Sequence, residues 1–158
     1  IPSVQLQNAI NQRRSIRAFK EESISKENFL EICQDIFDFS QENCVDIFMI
    51  NNNIEGFPKG VYKNVTLKKE GNFQAMASSL ALHQNLGKSS CATLFFTAKP
   101  DQDYLRTMLL CGFLAHMIYL KATWLNIGCS GIGAYFDEEC QTFLETKNNI
   151  LYLVVIGK

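Results

Sequence analysis

The chain has 158 residues, of which 47% are hydrophobic and 20% charged, and this composition excludes an intrinsically disordered protein. Its formal net charge of −1 provides no global positive field, so we expect no nucleic-acid or membrane partner, and any basic function must be local. We predict a single domain over residues 1–158 with a substantial core, although the Ile1-Pro2 start also fits one domain of a longer protein.

The cysteine and histidine content predicts a reduced, cytoplasmic protein without a metal. The six cysteines are widely spaced and form no Cys-x-x-Cys pair, which is typical of buried thiols rather than of disulfides or a zinc site. The two histidines, His83 and His116, are expected to be packing or surface residues. No cationic stretch followed by an apolar run opens the chain, so we expect no signal peptide.

Two helices are predicted before the first strand. Ser3 is expected to cap a short helix, and Ser25 is expected to cap a second one with Glu27 in its first turn. The apolar residues at helical spacing are Val4, Leu6, Ala9 and Ile10 in the first helix and Phe29, Ile32, Cys33, Ile36 and Phe37 in the second.

The middle of the chain predicts strands around one further helix. In chain order we predict a strand at 44–50, a turn at 51–53, a short strand at 60–62 continued through Val65 and Leu67, a helix at 73–84, and a central buried strand at 91–97.

The longest predicted helix begins near Pro100, Asp101 or Asp103, runs to about Asn126 and closes at Gly128. Its apolar residues occur nearly all the way round, so we expect the helix to be enclosed by its own core or by a second subunit. Three charged or polar residues, Arg106, His116 and Lys121, interrupt the apolar stretch and argue against a membrane span.

A glycine-rich segment and two elements complete the chain. Residues 128–133 predict a loop, residues 137–144 a helix, and residues 151–156 a final buried strand. Helices and strands are mixed without a regular βα alternation, so the pattern predicts an α+β fold rather than a doubly wound sheet.

The segment from Arg13 to Phe19 is the first candidate binding site. Arginine presents a planar fork of donors that matches the oxygens of a phosphate group. On an extended segment Arg13, Ser15 and Arg17 point the same way, which predicts a clamp for one compact anion. A solvated basic turn is the alternative interpretation of such a motif taken alone.

The glycines at positions 128, 131 and 133 mark the second candidate site. A backbone without side chains allows main-chain N–H groups to approach a flat or anionic ligand closely. The spacing is neither the dinucleotide fingerprint nor a Walker A loop, and the preceding element is a helix. Taken alone, the segment also fits a simple tight turn.

Together the two segments resemble a known family. The sequence RRSIRAF at 13–19 is similar to the N-terminal phosphate clamp of nitroreductase-like flavoproteins, and residues 119–144 are similar to their second signature. Residues 151–158 resemble their last core strand. Residues 60–62, the region around Gln84 and the sequence CGFLAHMIYLKA are closest to the azoline dehydrogenase-like branch, which oxidises thiazoline or oxazoline rings in peptides.

The resemblance implies an FMN-dependent oxidoreductase that acts on a small-molecule substrate. It implies a central, mostly antiparallel sheet flanked by helices, a long helix buried in the core of a homodimer, and NAD(P)H or an organic substrate as hydride donor. The implied substrate is a nitro- or azoline-type compound, and the flavin rather than a side chain carries the chemistry.

The resemblance also implies which residues bind the cofactor. By this resemblance, the phosphate and ribityl chain are bound by Arg13, Arg14, Ser15 and Arg17, with Lys158 as a further phosphate ligand. The flavin ring lies against the backbone of Ser130, Gly131, Ile132 and Gly133. Tyr104 and Arg106 lie near the position where azoline-oxidising enzymes carry a general base. Cys129 could touch the ring, but a buried structural thiol is the expected role.

Two other functions remain open at this stage. The chain could be a non-catalytic relative that acts as a dimerisation or scaffolding partner. The arginine segment could instead bind RNA or another phosphate ligand, but only Phe19 supplies an aromatic ring next to the arginines for base stacking.

Overall fold

A six-stranded antiparallel sheet organises the chain, as the α+β prediction requires, in the computed structural model that describes residues 1–158. The strands are β1 (Asp46–Asn51), β2 (Gly60–Lys63), β3 (Thr66–Glu70), β4 (Ala92–Ala98), β5 (Gly128–Ile132) and β6 (Asn149–Gly157). Their order across the sheet is β3-β2-β1-β4-β6-β5, which makes β3 and β5 the edge strands.

Six helices cover the two faces of this sheet. They are α1 (Ser3–Gln12), α2 (Lys26–Glu42), α3 (Gln74–Leu80), α4 (Asn85–Ser89), α5 (Tyr104–Trp124) and α6 (Asp137–Phe143). The larger core cluster joins one sheet face to α2 and α5, and the smaller one joins the opposite face to α3 and α6. Strands β4 and β6 are buried on both faces, as predicted, which explains why their sequences are continuous apolar runs.

Helix α5 determines the shape of the candidate site. Its first turn is capped by Asp103, whose carboxylate accepts a hydrogen bond from the Arg106 N–H at 2.9 Å. The helix ends at Trp124, and the left-handed conformation of Asn126 (φ 55°) then turns the chain before the predicted closing residue, Gly128, which begins β5. Its length and hydropathy alone would suit a membrane span, but half of its most apolar window is buried inside the fold, as in a core helix.

One polar interaction ties α5 to α2. The Lys121 side chain is buried, and its Nζ donates to Asp35 Oδ1 at 2.5 Å and to the Glu31 carbonyl at 3.0 Å. A buried ammonium is retained only when its donors are satisfied. The contact therefore explains how a lysine is accommodated near the end of an otherwise apolar helix.

Four local predictions were wrong. Helix α1 has Pro2 rather than Ser3 before its first turn, and of its apolar residues only Ala9 is buried. Residues 60–67 form a hairpin rather than one strand, because Asn64 turns the chain with φ 53°. The other two concern the predicted helix 73–84 and the predicted loop 128–133.

The helix predicted at 73–84 is broken into α3 and α4. Leu82 and His83 both have positive φ angles, and the chain turns so that Gly87 packs directly against Ala77 of α3. An added Cβ at Gly87 would lie 2.5 Å from the Ala77 carbonyl oxygen. A continuous helix could not bring these two residues together, since they are almost three turns apart in sequence.

Candidate functional site

The glycine-rich segment is the edge strand β5 rather than a loop. It pairs with β6 from Gly128 opposite Gly157 to Ile132 opposite Leu153. In an antiparallel edge strand, alternate residues direct both backbone polar groups away from the sheet. In β5 these residues are Cys129 and Gly131. The Cys129 carbonyl and the Gly131 N–H both form hydrogen bonds outside the sheet.

The arginine segment lies along this free edge. The Ile16 N–H donates to the Cys129 carbonyl at 3.0 Å, and further along the Lys20 N–H donates to the Lys158 carbonyl at 2.5 Å. The two sequence motifs are therefore in direct contact. The segment predicted to bind an anion therefore lies against the strand predicted to face a flat ring.

Arg13 and Ser15 lie on the same side of the segment, as its extended conformation predicts. Both contact Tyr119 of α5. The Arg13 guanidinium lies 5.2 Å from the centroid of the Tyr119 ring, and Ser15 Oγ lies 2.9 Å from Tyr119 Oη. A cation held against an aromatic face retains its N–H donors for an anion in the plane of the guanidinium.

Arg14 points away from this pair. Its Nη1 donates to the carbonyls of Asn11 at 3.0 Å and of Arg13 at 2.7 Å, at the end of α1. It lines a separate cavity of about 340 Å³ together with Asn126 and Gly128. The side chain is thus engaged in closing α1, on the other side of the backbone from Arg13.

The remaining basic residues of the prediction are exposed. Arg17 and Lys158 are solvent-accessible, and the chain's ion pairs, Lys63 with Asp46 and Lys121 with Asp35, involve none of the arginines. No carboxylate neutralises Arg13, Arg17 or Lys158. Their positive charge is therefore available to an anionic ligand at this edge.

Cys129, Ser130 and Ile132 of β5 are buried, and only the two glycines of the strand, Gly128 and Gly131, are partly accessible. Ile132 belongs to the smaller core cluster, and Ser130 is fully buried with its Oγ lacking a hydrogen-bond partner. The Gly131 N–H donates to Tyr119 Oη at 2.5 Å. Ser130 and Ile132 also pair with β6 through their backbone groups, so the residues accessible to a ligand here are Gly131 and, just after the strand, Gly133.

The two glycines of this region differ in the space beside them. At Gly131 an added Cβ would overlap the hydroxyl of Tyr152 and crowd its ring, whereas at Gly133 it would meet no atom within 4 Å. Gly131 is therefore required by the packing of the chain itself. Gly133 faces open space of the kind that a flat ligand could fill.

A cavity of about 330 Å³ opens beside Arg13, at the small end of the range for ligand sites. It is lined by Arg13, by Tyr152 of β6, and by one face of α5 consisting of Met108, Cys111, Gly112, Ala115, His116 and Tyr119. Because His116 is exposed at its rim and His83 packs edge-on against Phe136 at 6.1 Å, both histidines are surface or packing residues, as predicted.

Two buried thiols and one partly buried phenol in this region are held neutral. Burial raises the pKa of the Cys111 thiol to about 12, and burial also raises the pKa of Tyr152 and of Cys129. Thiols with such values are poor nucleophiles at neutral pH, which agrees with a structural role for Cys129. No group of three or more His, Cys, Asp or Glu side chains is placed to hold a metal ion.

Residues 10–158 match the family model described as the nitroreductase family. The chain belongs to this family. A search of curated proteins returned no match to the chain.

Solved structures agree with the fold of this nitroreductase-family chain. An Anabaena variabilis protein assigned as a nitroreductase superposes with a TM-score of 0.79 at 22% identity, over 97% of this chain and 38% of that one. A Desulfovibrio desulfuricans protein assigned as a nitroreductase and solved in complex with FMN has a TM-score of 0.71 at 13% identity, over 96% of this chain and 84% of that one. Bacillus megaterium NfrA1 has a TM-score of 0.72 at 16% identity, over 96% of this chain and 65% of that one.

These likenesses establish the nitroreductase fold and set a limit on what they transfer. The chain spans 38% of the Anabaena protein and 65% of NfrA1, so it corresponds to part of those longer proteins. The activity of the whole proteins does not follow from the shared fold.

The residues of the nitroreductase-family site fit a phosphate-bearing flavin. Arg13 and Ser15 form an unneutralised donor pair, and the open space at Gly133 admits a flat group beside β5. Sequence reasoning missed Tyr119 and Tyr152. The helical spacing from Cys111 through Ala115 could have indicated Tyr119, but no sequence signal connects Tyr152 to Gly131.

Proposed function

We propose that the chain is an FMN-dependent oxidoreductase of the nitroreductase family. Bound FMN would supply hydride transfer between a nicotinamide or other organic donor and an electron acceptor. The observation that carries the proposal is the contact of the arginine segment with β5. The two segments are hydrogen-bonded directly, and Tyr119 contacts a residue of each. The FMN complex of the Desulfovibrio protein, which shares the fold, supports the choice of cofactor.

In this proposal the basic residues hold the anionic end of the cofactor. Arg13, Ser15 and Arg17 bind the phosphate and the ribityl chain, and Lys158 adds positive charge at the far end of the same segment. Each contact is a charge-assisted hydrogen bond or a hydroxyl donor, the kinds of group that recognise phosphate most strongly. The ring lies along the segment 130–133, where Gly131 and Gly133 are the accessible residues.

A homodimer is part of the proposal. Helix α5 exposes a continuous apolar row formed by Tyr104, Leu105, Leu109 and Phe113, and the Phe39 ring of α2 extends it at 6.3 Å from Phe113. Such a row on a helix that borders the cavity suits a second copy of the chain, which would also enclose the cavity.

We also propose a class of substrate and a hydride donor. The sequence similarity to the azoline dehydrogenase-like branch favours an azoline-type substrate, whose ring would give its hydride to the flavin, and the alternative substrate is a nitro compound that would accept electrons from it. Tyr104 and Arg106, which lie near the implied position of the base, are both exposed at the start of α5. Tyr104 belongs to the apolar row and Arg106 lies beside it. A Clostridium acetobutylicum protein of the same fold, assigned as an NADH oxidase, supports a nicotinamide donor. The cytoplasmic location stays a prediction.

The first experiment is a visible absorption spectrum of the gently purified protein, repeated after incubation with FMN and desalting. The oxidised flavin band should remain with the protein and bleach when NADH or NADPH is added without oxygen. A matched sample incubated with riboflavin shows whether retention depends on the phosphate. If no flavin stays with the protein under either condition, the chain is a non-catalytic relative of the family.

A further inference from the structure

Tyr119 makes contact with both halves of the candidate site. Its Oη accepts a hydrogen bond from the Gly131 N–H at 2.5 Å and lies 2.9 Å from Ser15 Oγ, while its ring carries the Arg13 guanidinium at 5.2 Å. The side chain is nearly buried, with 9% of its surface exposed. Three predicted cofactor-binding residues are therefore joined by one residue of α5 that was not itself predicted to take part in the site.

The donors and acceptors of this contact can be assigned. A tyrosine hydroxyl has one proton and accepts through its oxygen lone pairs. Because its oxygen already accepts from Gly131, Tyr119 can donate its proton to Ser15 Oγ. The Ser15 proton is then free to point away from Tyr119, into the site.

An anion selects this direction of the chain of hydrogen bonds. If Ser15 donated to Tyr119 instead, Ser15 would present only lone pairs to a phosphate oxygen, and the two would repel. In the selected direction Gly131 donates to Tyr119, Tyr119 donates to Ser15, and Ser15 donates to the phosphate. Aligned hydrogen bonds of this kind polarise one another and strengthen the last donor.

Resting on the proposed function, we propose that Tyr119 is a positioning residue that directs the Ser15 hydroxyl toward the phosphate of FMN through a relay from Gly131. The Gly131 N–H then serves the phosphate end of the site through Tyr119. The ring-facing donor must come from another outward-facing position of this edge. Gly133 is the next residue in that alternation, and open space lies beside it.

The relay predicts a selective effect of removing one oxygen atom. Tyr119→Phe keeps the ring beneath Arg13 and deletes only the hydroxyl. We expect the Kd for FMN to rise about tenfold, which corresponds to a loss of about 1.4 kcal/mol of binding free energy. Riboflavin, which has no phosphate, should bind the wild type and the variant with Kd values within about twofold of each other. Fluorescence titrations with both flavins measure these Kd values. Tyr62→Phe is the matched control, because it also deletes one tyrosine hydroxyl, which in the wild type donates to the Pro58 carbonyl.

A double-mutant cycle separates the relay from two independent contacts. Ser15→Ala should weaken FMN binding, and adding Tyr119→Phe to it should cost almost nothing more, because the relay ends at Ser15. Additive losses would overturn the relay. An equal loss of FMN and riboflavin affinity in Tyr119→Phe would overturn it too, since it would mean that Tyr119 only shapes the cavity.

Amide hydrogen exchange tests the same contact without any flavin. In the wild-type protein the Gly131 N–H should be protected, and in Tyr119→Phe it should exchange at least about tenfold faster while the β4 and β6 amides keep their rates. Unchanged exchange at Gly131 would overturn the contact on which the relay depends. Absence of FMN binding in the wild type would overturn the proposed function instead, so the two failures are distinguishable.

Discussion

At the scale of single residues, the arginine segment divides into two functions. Arg13 lies on the Tyr119 ring and faces the cavity, while Arg14 closes the end of α1 through two backbone carbonyls. The motif looks uniform in sequence, but alternation along an extended segment places neighbouring side chains on opposite sides. Loss of FMN should therefore follow from Arg13 and Arg17 and not from Arg14.

The double variant Arg13→Ala/Arg17→Ala should lose bound FMN and keep its fold. Each charge-assisted contact with a phosphate is worth about 1.5–3 kcal/mol, so the loss of two should raise the Kd by about a hundredfold or more. Circular dichroism verifies the fold, and a fluorescence titration gives the Kd. Full retention of flavin by the double variant would mean that the phosphate is held elsewhere.

Arg14→Ala provides the matched comparison, because it removes the same charge from the adjacent position. Its Kd for FMN should change by less than about threefold, since its guanidinium is directed to the end of α1. Loss of its two hydrogen bonds to exposed carbonyls should lower the free energy of unfolding by about 0.5–1 kcal/mol. Thermal denaturation of the flavin-free protein measures that loss.

Gly131 of β5 and Gly133 just after it allow ligand space to be separated from packing. Gly133→Val should weaken FMN binding and leave the flavin-free protein as stable as the wild type, because nothing lies within 4 Å of the added Cβ. Gly131→Ala should lower the free energy of unfolding by about 1–3 kcal/mol, because the Tyr152 ring must move. Melting curves with and without FMN measure both effects. A stable Gly133→Val protein with unchanged FMN affinity would place the ring away from this strand.

The sequence predicted the members of the candidate site better than their connections. The alternation of Arg13 and Ser15 follows from an extended backbone and was predictable. The role of Tyr119 was not, because it depends on the rotation of α5 about its axis and on its distance from β5. Both are set by the packing of the core, which no local motif encodes.

At the scale of elements, the success of a prediction depended on whether one local signal determined the element. Helix α2 and strands β4 and β6 have strong periodicity or continuous apolar runs, and each was predicted within a few residues. Strand β5 has two glycines in five residues and no alternating pattern, so nothing in its sequence distinguishes it from a loop. Only its pairing with β6 makes it a strand.

Capping provides a test at this scale, with a natural control in the same chain. The Ser25 Oγ accepts from the Asn28 N–H at 3.2 Å, whereas Ser3 makes no capping hydrogen bond. Ser25→Ala should therefore lower the free energy of unfolding by about 1 kcal/mol, and Ser3→Ala should leave it unchanged. Urea denaturation of the two variants measures the difference. Equal stability of both would show that the cap at α2 contributes nothing.

At the scale of the whole molecule, the central strands β4 and β6 are buried on both faces of the sheet, but α5 is not enclosed by its own chain. Leu109 and Phe113 are 68% and 55% exposed on the helix whose opposite face forms the core. The cavity beside Arg13 is lined by that same helix. An apolar row next to a half-open cavity links assembly to ligand binding, because covering the row would also enclose the cavity.

We therefore expect the chain to be a dimer, and Leu109→Asp/Phe113→Asp should convert it to a monomer. Two carboxylates buried in an apolar interface cannot be solvated, and this cost exceeds the stability of an interface formed by one helix row. Sedimentation analysis measures the assembly, and Val65→Asp, an exposed apolar residue of the β2–β3 turn, is the control that should remain dimeric. The monomer should also lose FMN affinity although all its predicted binding residues are intact. If the variant stays dimeric, the row on α5 is not the interface; if it becomes monomeric and keeps its FMN affinity, one chain suffices for the site.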